Sequence, residues 1–359
     1  MKKYLYIIMW AMLLAIIPSA CSSDIDNPYA TTSKMKIIKS DVLFDAPASE
    51  GSIEVESDSP INVECSASWC SVKIEGNVIR VSTTQNSDLD GRSAILTISN
   101  KENDCIKATV QQQGMRFKVD CNEIITGGDQ GCTQTFDVNY NIEPTISSSV
   151  SWLHVNKENN KLTVTMDANT EGHLREGYIR LNVADYKDSI CVKQFDFAKD
   201  IAGEYSLVYT DNETLQRCFI NVRLTLSGTT YRLNLTDLQL AVPAFFDETS
   251  GSLTFKPGQY IGIKNQRYLY TALLDSKADP SIGTVTLDPS MSFDGKFSYG
   301  KTADNGDTPA TYLAFKDNGS WQGMHIDALL LYSFNKKNPI ADNAIGAVLC
   351  MIDPVLIKK

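Results

Sequence analysis

Histidine is almost missing from this 359-residue chain, which has only His154, His173 and His325. They lie far apart, none stands in a His-x-His or His-Glu-x-x-His setting, and no Cys-x-x-Cys occurs, so no metal site, thiol redox centre or cofactor is expected. No Gly-x-Ser-x-Gly elbow is present and no histidine neighbours a plausible nucleophile, which removes the usual hydrolase signatures. Cationic charge is also scarce. Lys plus Arg total 33 against 43 for Asp plus Glu, a net charge of −10. This excludes the basic stripes that bind nucleic acid by counterion release. The N-terminal apolar run, Tyr4 to Ile17, is fourteen residues, short of the roughly 20 that a membrane-spanning helix needs. The 43% hydrophobic content can nonetheless bury a real core, and at roughly 100 to 200 residues per domain the chain should hold two or three domains. A disordered or fibrous chain is excluded.

Met1-Lys2-Lys3, the short apolar run, and Pro18-Ser19-Ala20 before Cys21 read as a signal peptide over 1–20. Loss of Lys2 and Lys3 makes the mature chain more acidic. After Cys21 the sequence turns polar and acidic (Ser22-Ser23-Asp24-Ile25-Asp26), as a solvated tether over 21–34 would. This pattern resembles a bacterial lipoprotein, although Pro18 replaces the leucine usual three residues before the cysteine. The resemblance implies acylation of Cys21, stable anchoring by several acyl chains, and display on the outer membrane at the cell surface. The alternative is an ordinary secretory signal cut near Ala20 that leaves Cys21 as a spare thiol.

The chain repeats itself with a period of 83. Trp69 maps to Trp152, Val72 to Val155, Val81 to Val164, Asn86 to Asn169, Arg92 to Arg175, Ile98 to Leu181 and Gln111 to Gln194. The period defines two modules, 35–114 and 115–197. Ile53 and Val55, Ile61 and Val63, and Val72 and Ile74 alternate with polar neighbours, while Gly76-Asn77 and Asn159-Asn160 mark hairpin turns. Short strands at regular spacing predict two tandem immunoglobulin-like β-sandwiches.

Ser68-Trp69, Asn86 to Arg92 and Gln111-Gln112-Gln113-Gly114, with their counterparts Ser151-Trp152, Asn169 to Arg175 and Gln194, resemble the BACON family, the Bacteroidetes-associated carbohydrate-binding, often N-terminal domain. The second copy lacks the closing Gln-Gly and runs into Phe195-Asp196-Phe197. The resemblance implies either glycan binding or a spacer role. A tryptophan among alternating apolar residues is expected in the sandwich core rather than as a sugar platform. Arg92 and Arg175 are expected to tie a loop to carbonyls or carboxylates. Cys121 and Cys132 flank Thr126-Gly127-Gly128 and are a candidate disulfide; Cys218 and Cys350 are a second.

Beyond residue 200 the repeat stops, and 18 of the 29 aromatics that follow the signal peptide lie in 200–359, which marks a third domain. Cys218, Ile220, Val222, Leu224 and Leu226 alternate with Phe219, Asn221, Arg223 and Thr225, and Ile326 through Phe334 reads as one face of a long late strand. Six to eight antiparallel strands need closure, so an antiparallel β-barrel is expected, with a third β-sandwich as the alternative. Phe246-Asp247-Glu248-Thr249-Ser250-Gly251-Ser252-Leu253 with Gly258-Gln259 is similar to a segment of lipocalin-like domains. Tyr299, Tyr312 and Trp321, close to Gly, Asp and Asn, are candidates for a sugar-stacking rim.

The expected function is therefore that of a surface-anchored lipoprotein that binds glycan through residues 200–359, with the BACON-like modules as spacers and other surface glycan-uptake proteins as partners. A structural or adhesive protein without a small ligand is the alternative. A glycoside hydrolase is the less favoured third class, since it needs two carboxylates held roughly 5 to 10 Å apart in a domain small for such an enzyme; the chain is expected not to be an enzyme.

Overall fold

The computed structural model describes residues 34–279 and 284–359. Cys21, the signal peptide and most of the tether lie outside the described residues. The chain is nearly all β and splits into two compact units: the first sandwich, and a larger unit that holds the second sandwich and the C-terminal barrel.

In the first sandwich, strands Lys36–Asp41, Ser49–Glu56, Val78–Thr83 and Cys70–Glu75 form one four-stranded sheet. Leu43–Phe44, Cys105–Gln112, Arg92–Asn100 and Ile61–Cys65 form the other. The alternating residues Ile53, Val55, Ile79, Val81, Leu96 and Ile98 are buried between them, which is the period-2 pattern put to use. The second sandwich repeats the plan: Leu153–Glu158, Lys161–Met166, Cys132–Tyr140 and Phe117–Val119 face Ile124–Gly127, Tyr186–Gln194, Arg175–Val183 and Thr145–Ser148. Both expected hairpin turns form. Glu75 pairs with Val78 across Gly76-Asn77, and Glu158 pairs with Lys161 across Asn159-Asn160; Gly76 (φ 62°) and Asn159 (φ 49°) take the left-handed conformation that such tight turns require. Leu43–Phe44 and Ile124–Gly127 each add in parallel to the last strand of their own module.

The C-terminal domain is a closed barrel of eight antiparallel strands. In ring order they are Gly203–Asp211, Arg217–Ser227, Thr230–Leu235, Leu240–Asp247, Ser252–Phe255, Phe293–Gly300, Ala310–Asp317 and Ala344–Lys358. The last, 15 residues long, closes the ring. Its end pairs with Gly203–Asp211 on one side and Ala310–Asp317 on the other, while its first half leaves the ring to pair with Ala328–Phe334. The turn of direction falls at Asp353 (φ 46°), just before Pro354. Ala328–Phe334 is buried on both faces and starts two residues after Ile326, so the one-sided late strand expected from the sequence is corrected. Leu329 and Leu331 join the barrel core, and the strand is covered because Arg267–Leu274 pairs along its other edge. The interior is filled by Tyr205, Phe255, Phe293, Phe297, Leu313, Leu356 and their neighbours, the packed solution open to an eight-stranded barrel. The Phe246–Leu253 motif is the hairpin turn between two ring strands. Asp247 accepts from Thr249 N (2.9 Å), Thr249 Oγ1 (2.7 Å) and Ser250 Oγ (2.7 Å), which holds its carboxyl below the usual range, chiefly through the Thr249 hydroxyl.

The second sandwich and the barrel share a core. Leu174 and Phe195 belong to the same buried cluster as the barrel side chains. Lys193, 3% exposed, donates to the Phe297 carbonyl and pairs with Glu176 at 3.2 Å; Lys296 pairs with Glu123 at 3.3 Å. Phe197–Ile201 forms a single π-turn, with Asp196 accepting from Ala198 N and Lys199 N. The sequence marks a domain boundary near 197–200; the packing makes it a short connection pinned by the buried Phe195, Asp200 and Ile201, with Ala198 and Lys199 exposed on a hydrogen-bonded turn. Limited trypsinolysis should accordingly spare Lys199 in the native protein, whereas early cleavage there into two stable fragments would contradict the shared core.

Asp200 is fully buried in that connection. Burial pushes its carboxyl above the usual range, and the Asp129 carboxylate adds to the shift. The unfolded chain releases this proton near pH 4 while the folded one keeps it, so stability falls as pH rises from there through the raised value. Asp200→Asn is expected to remove this slope and to stabilise the unit at neutral pH. Urea unfolding at pH 4 and pH 7 measures it, and an unchanged pH dependence would contradict the assignment.

Candidate functional site

The residues shared by the two repeats assemble the same polar clasp twice. In the first module the Arg92 guanidinium lies 4.5 Å from the Trp69 ring centre, while Nε donates to Gln112 Oε1 (3.0 Å) and Nη2 to the Thr84 carbonyl (2.7 Å). In the second, Arg175 lies 4.4 Å over Trp152, and bonds Gln194 Oε1 (2.9 Å) and the Asp167 carbonyl (2.9 Å). Each tryptophan is half-buried, packed on its core and roofed by arginine. The core expectation is thus modified, and neither ring is free to stack on a sugar. The arginines tie loop carbonyls as expected. The glutamine assignment is corrected. Gln112, not Gln111, is the counterpart of Gln194, because residues 92 and 112 pair in one module and 175 and 194 in the other. The hairpin of the second copy turns on Ala184-Asp185 and is one residue shorter.

The barrel carries an open groove of about 500 Å³ on its outer face. It is built on the outward positions of two paired strands, where Ser298 stands opposite Tyr312, Lys296 opposite Ala314 and Asp294 opposite Lys316. The alternate residues Phe293, Phe297, Leu313 and Phe315 point into the core and fix these strands. Gly295 is required there, since a Cβ would lie 2.3 Å from Leu313 Cδ2 and 2.9 Å from the Ala314 carbonyl oxygen. At the groove end, Asn318 Nδ2 donates to Ser292 Oγ (2.6 Å) and to Asp294, and Asp317 accepts from Gly319 N (3.1 Å) and meets His325 Nδ1 (3.1 Å). Lys316 has no ion-pair partner among the described residues. One half-buried tyrosine ring, two ammonium groups, a hydroxyl, an amide and carboxylates therefore converge on a rigid sheet, the mixture that lets a groove stack one face of a sugar ring and exchange hydrogen bonds with its hydroxyls.

Of the three expected rim aromatics, only Tyr312 lines this groove. Tyr299 is stacked on His173 of the second sandwich, with ring centres 3.5 Å apart and planes at 5°. Trp321 is half-buried against the barrel core, in a turn closed by Met324 N to its carbonyl (3.1 Å). The three do not form one rim. Asp294, Lys296, Ser298, Lys316 and Asn318 were not singled out in the sequence; the signal that could have found them is the outward half of the alternation around Phe293, Phe297 and Phe315. A second cleft of about 600 Å³ runs past Phe195, Phe197 and Glu248, but its rings are committed to Phe246 and Tyr231 at 4.9–6.0 Å. The eight described cysteines are free thiols, so the expected Cys121–Cys132 and Cys218–Cys350 bridges are not formed. Cys121 and Cys132 sit against the sandwich core, and the Cys218 thiol donates to the Tyr209 carbonyl (3.7 Å).

The BACON family, described as "Putative binding domain, N-terminal", matches residues 59–113 and 141–195. No curated protein matches the chain. Among solved structures, a Bacteroides ovatus GH5 xyloglucanase in complex with a XXXG heptasaccharide is similar over 26% of this chain, at 21% identity and a TM-score of 0.22; the chain spans 22% of its length. The chimeric titin Z1Z2 fragment (7% identity, TM-score 0.26) is matched over 46% of this chain and 99% of that one, and titin I67–I69 (10%, 0.24) over 63% and 93%. The chain thus carries two BACON-type sandwiches followed by an eight-stranded antiparallel barrel.

Proposed function

We propose that this is a non-catalytic glycan-binding lipoprotein of the cell surface, anchored through Cys21, that holds its ligand in the Tyr312 groove. The observation that carries the reading is the groove itself: the side chains of Tyr312, Ser298 and Lys316 stand on the barrel's outer face without a hydrogen-bond or ion-pair partner among the described residues, whereas Trp69 and Trp152 are used up in the clasps. The BACON matches, one in each sandwich, support a link to carbohydrate, and with both tryptophans committed to the clasps we read these modules as spacers. Tyr312→Ala is expected to weaken any glycan retained from a broad panel several-fold, since stacking contributes on the order of 1 kcal/mol beyond burial. Unchanged affinity would remove the groove from the reading, and turnover in the same tubes would contradict a binding role.

Anchoring has its own test. Cys21→Ser should release the protein from membranes, and full retention in the membrane fraction would overturn it. The alternative of a structural or adhesive protein gains support if no panel glycan is retained.

A further inference from the structure

The second sandwich does more than adjoin the barrel; one row of its sheet starts at their contact and leads outward from it. Glu176 pairs with Lys193 in strand register and Tyr178 with Cys191, and alternation places these four side chains on one face. Lys193 anchors the inner end of the row on the Phe297 carbonyl. One step further out stand Tyr178 and Cys191. Lys296, a groove residue, is tied to Glu123 of the same sandwich at 3.3 Å, and Tyr299, on the strand that carries Lys296 and Ser298, is stacked on His173. The strand Arg175–Val183 thereby packs beside Phe293–Gly300, which carries the groove on its outer face. Tyr178 is held in turn by its own backbone, whose N donates to Ser149 Oγ (2.8 Å) and whose carbonyl accepts from Ser149 N (2.9 Å). Tyr178 as a residue is 42% exposed. The Tyr178 hydroxyl titrates above its ordinary range, through Cys191 first, then burial, Glu176 and the neighbouring Tyr312.

Building on the glycan reading above, we propose that Tyr178 forms the second wall of the Tyr312 groove, so that an oligosaccharide held there rests on both the sandwich and the barrel. A cleft of about 500 Å³ falls within the usual range for a bound ligand. Two tyrosines supplied by separate domains suit an extended chain of sugar rings better than one. Neither ring has to be ordered on binding, because each stands on a strand already fixed, so little affinity is spent on immobilising it. The second BACON-type module thereby acts as part of the site, while Trp152 stays in its structural clasp.

The test uses the whole chain from residue 22 and a glycan retained from the panel, titrated against wild type, Tyr178→Ala, Tyr178→Phe and Tyr312→Ala. Tyr178→Ala should weaken binding several-fold with an unchanged urea midpoint, and Tyr178→Phe should retain most of the affinity because the ring is kept. If Tyr312→Ala weakens binding and Tyr178→Ala does not, the shared site is overturned and the barrel groove stands. If both variants bind as wild type, or if no panel glycan is held, both readings fall.

Discussion

Phe297→Ala is expected to destabilise the barrel by about 3–5 kcal/mol, the usual cost of deleting a fully buried aromatic ring. Phe297 is 0% exposed and lies centrally, 6.2 Å from the Tyr205 ring and 6.1 Å from that of Phe246. A closed ring of strands cannot slide inward to fill the space it leaves, so little of the cavity term is recovered. The same strand carries the groove on its outer face and accepts from Lys193, so the loss should also loosen the groove. Urea unfolding measures the effect; a change below about 1 kcal/mol, the scale of a tolerated volume-conserving swap, would contradict a packed interior.

Gln194→Leu is expected to cost roughly 2–3 kcal/mol, although the replacement is apolar and of similar size. Gln194 is 0% exposed. Its amide accepts from Arg175 Nε (2.9 Å) and donates to the carbonyls of Gly128 (2.9 Å) and Asp167 (2.8 Å). Leucine leaves the buried Arg175 Nε without its acceptor and takes one donor from each carbonyl, which keep their bonds from Gly131 N (3.1 Å) and Arg175 Nη2 (2.9 Å). The unmet guanidinium donor and the two weakened carbonyls together supply the loss, an unmet buried group costing about 1–3 kcal/mol before relaxation. Gln112→Leu should behave alike, since its amide donates to Ala46, Pro47 and Thr84 carbonyls at 3.0–3.1 Å. Gln111→Leu, at an exposed neighbouring position, should stay within about 0.5 kcal/mol. A large effect at 111 and none at 112 would restore the uninterrupted 83-residue register that the pairing rules out.

Why that register slipped is instructive. From Trp69 to Ile98 the two copies keep step because their strands and tight hairpin turn match in length and the clasp loops, 84–91 and 167–174, are equally long. The first hairpin then turns over Asn100–Asp104 and the second over Ala184-Asp185, and loop length leaves no trace in the alternation of the flanking strands. The sandwiches and the presence of a barrel were legible from period-2 burial. Closure was less so, since the closing strand contains Pro354 and serves two partners in succession, so no single face alternates along it. The groove was only partly legible. Tyr312 stood out as an aromatic near Gly, Asp and Asn, but Asp294, Lys296 and Lys316 on outward positions look in sequence like any solvated sheet face. Tyr299 and Trp321 show the converse: nearness to Gly and Asn placed them correctly at strand ends and loops, and tertiary contacts with His173 and the barrel core then occupied them.

The central claim is that glycan binds on the outer face of the barrel and not on the sandwich tryptophans. Amide hydrogen exchange of the chain from residue 22, with and without a saturating panel glycan, tests it most directly. The account predicts new protection along Phe293–Gly300 and Ala310–Asp317, with none around Trp69; protection centred on Trp69 or Trp152, with the barrel strands unchanged, would contradict it.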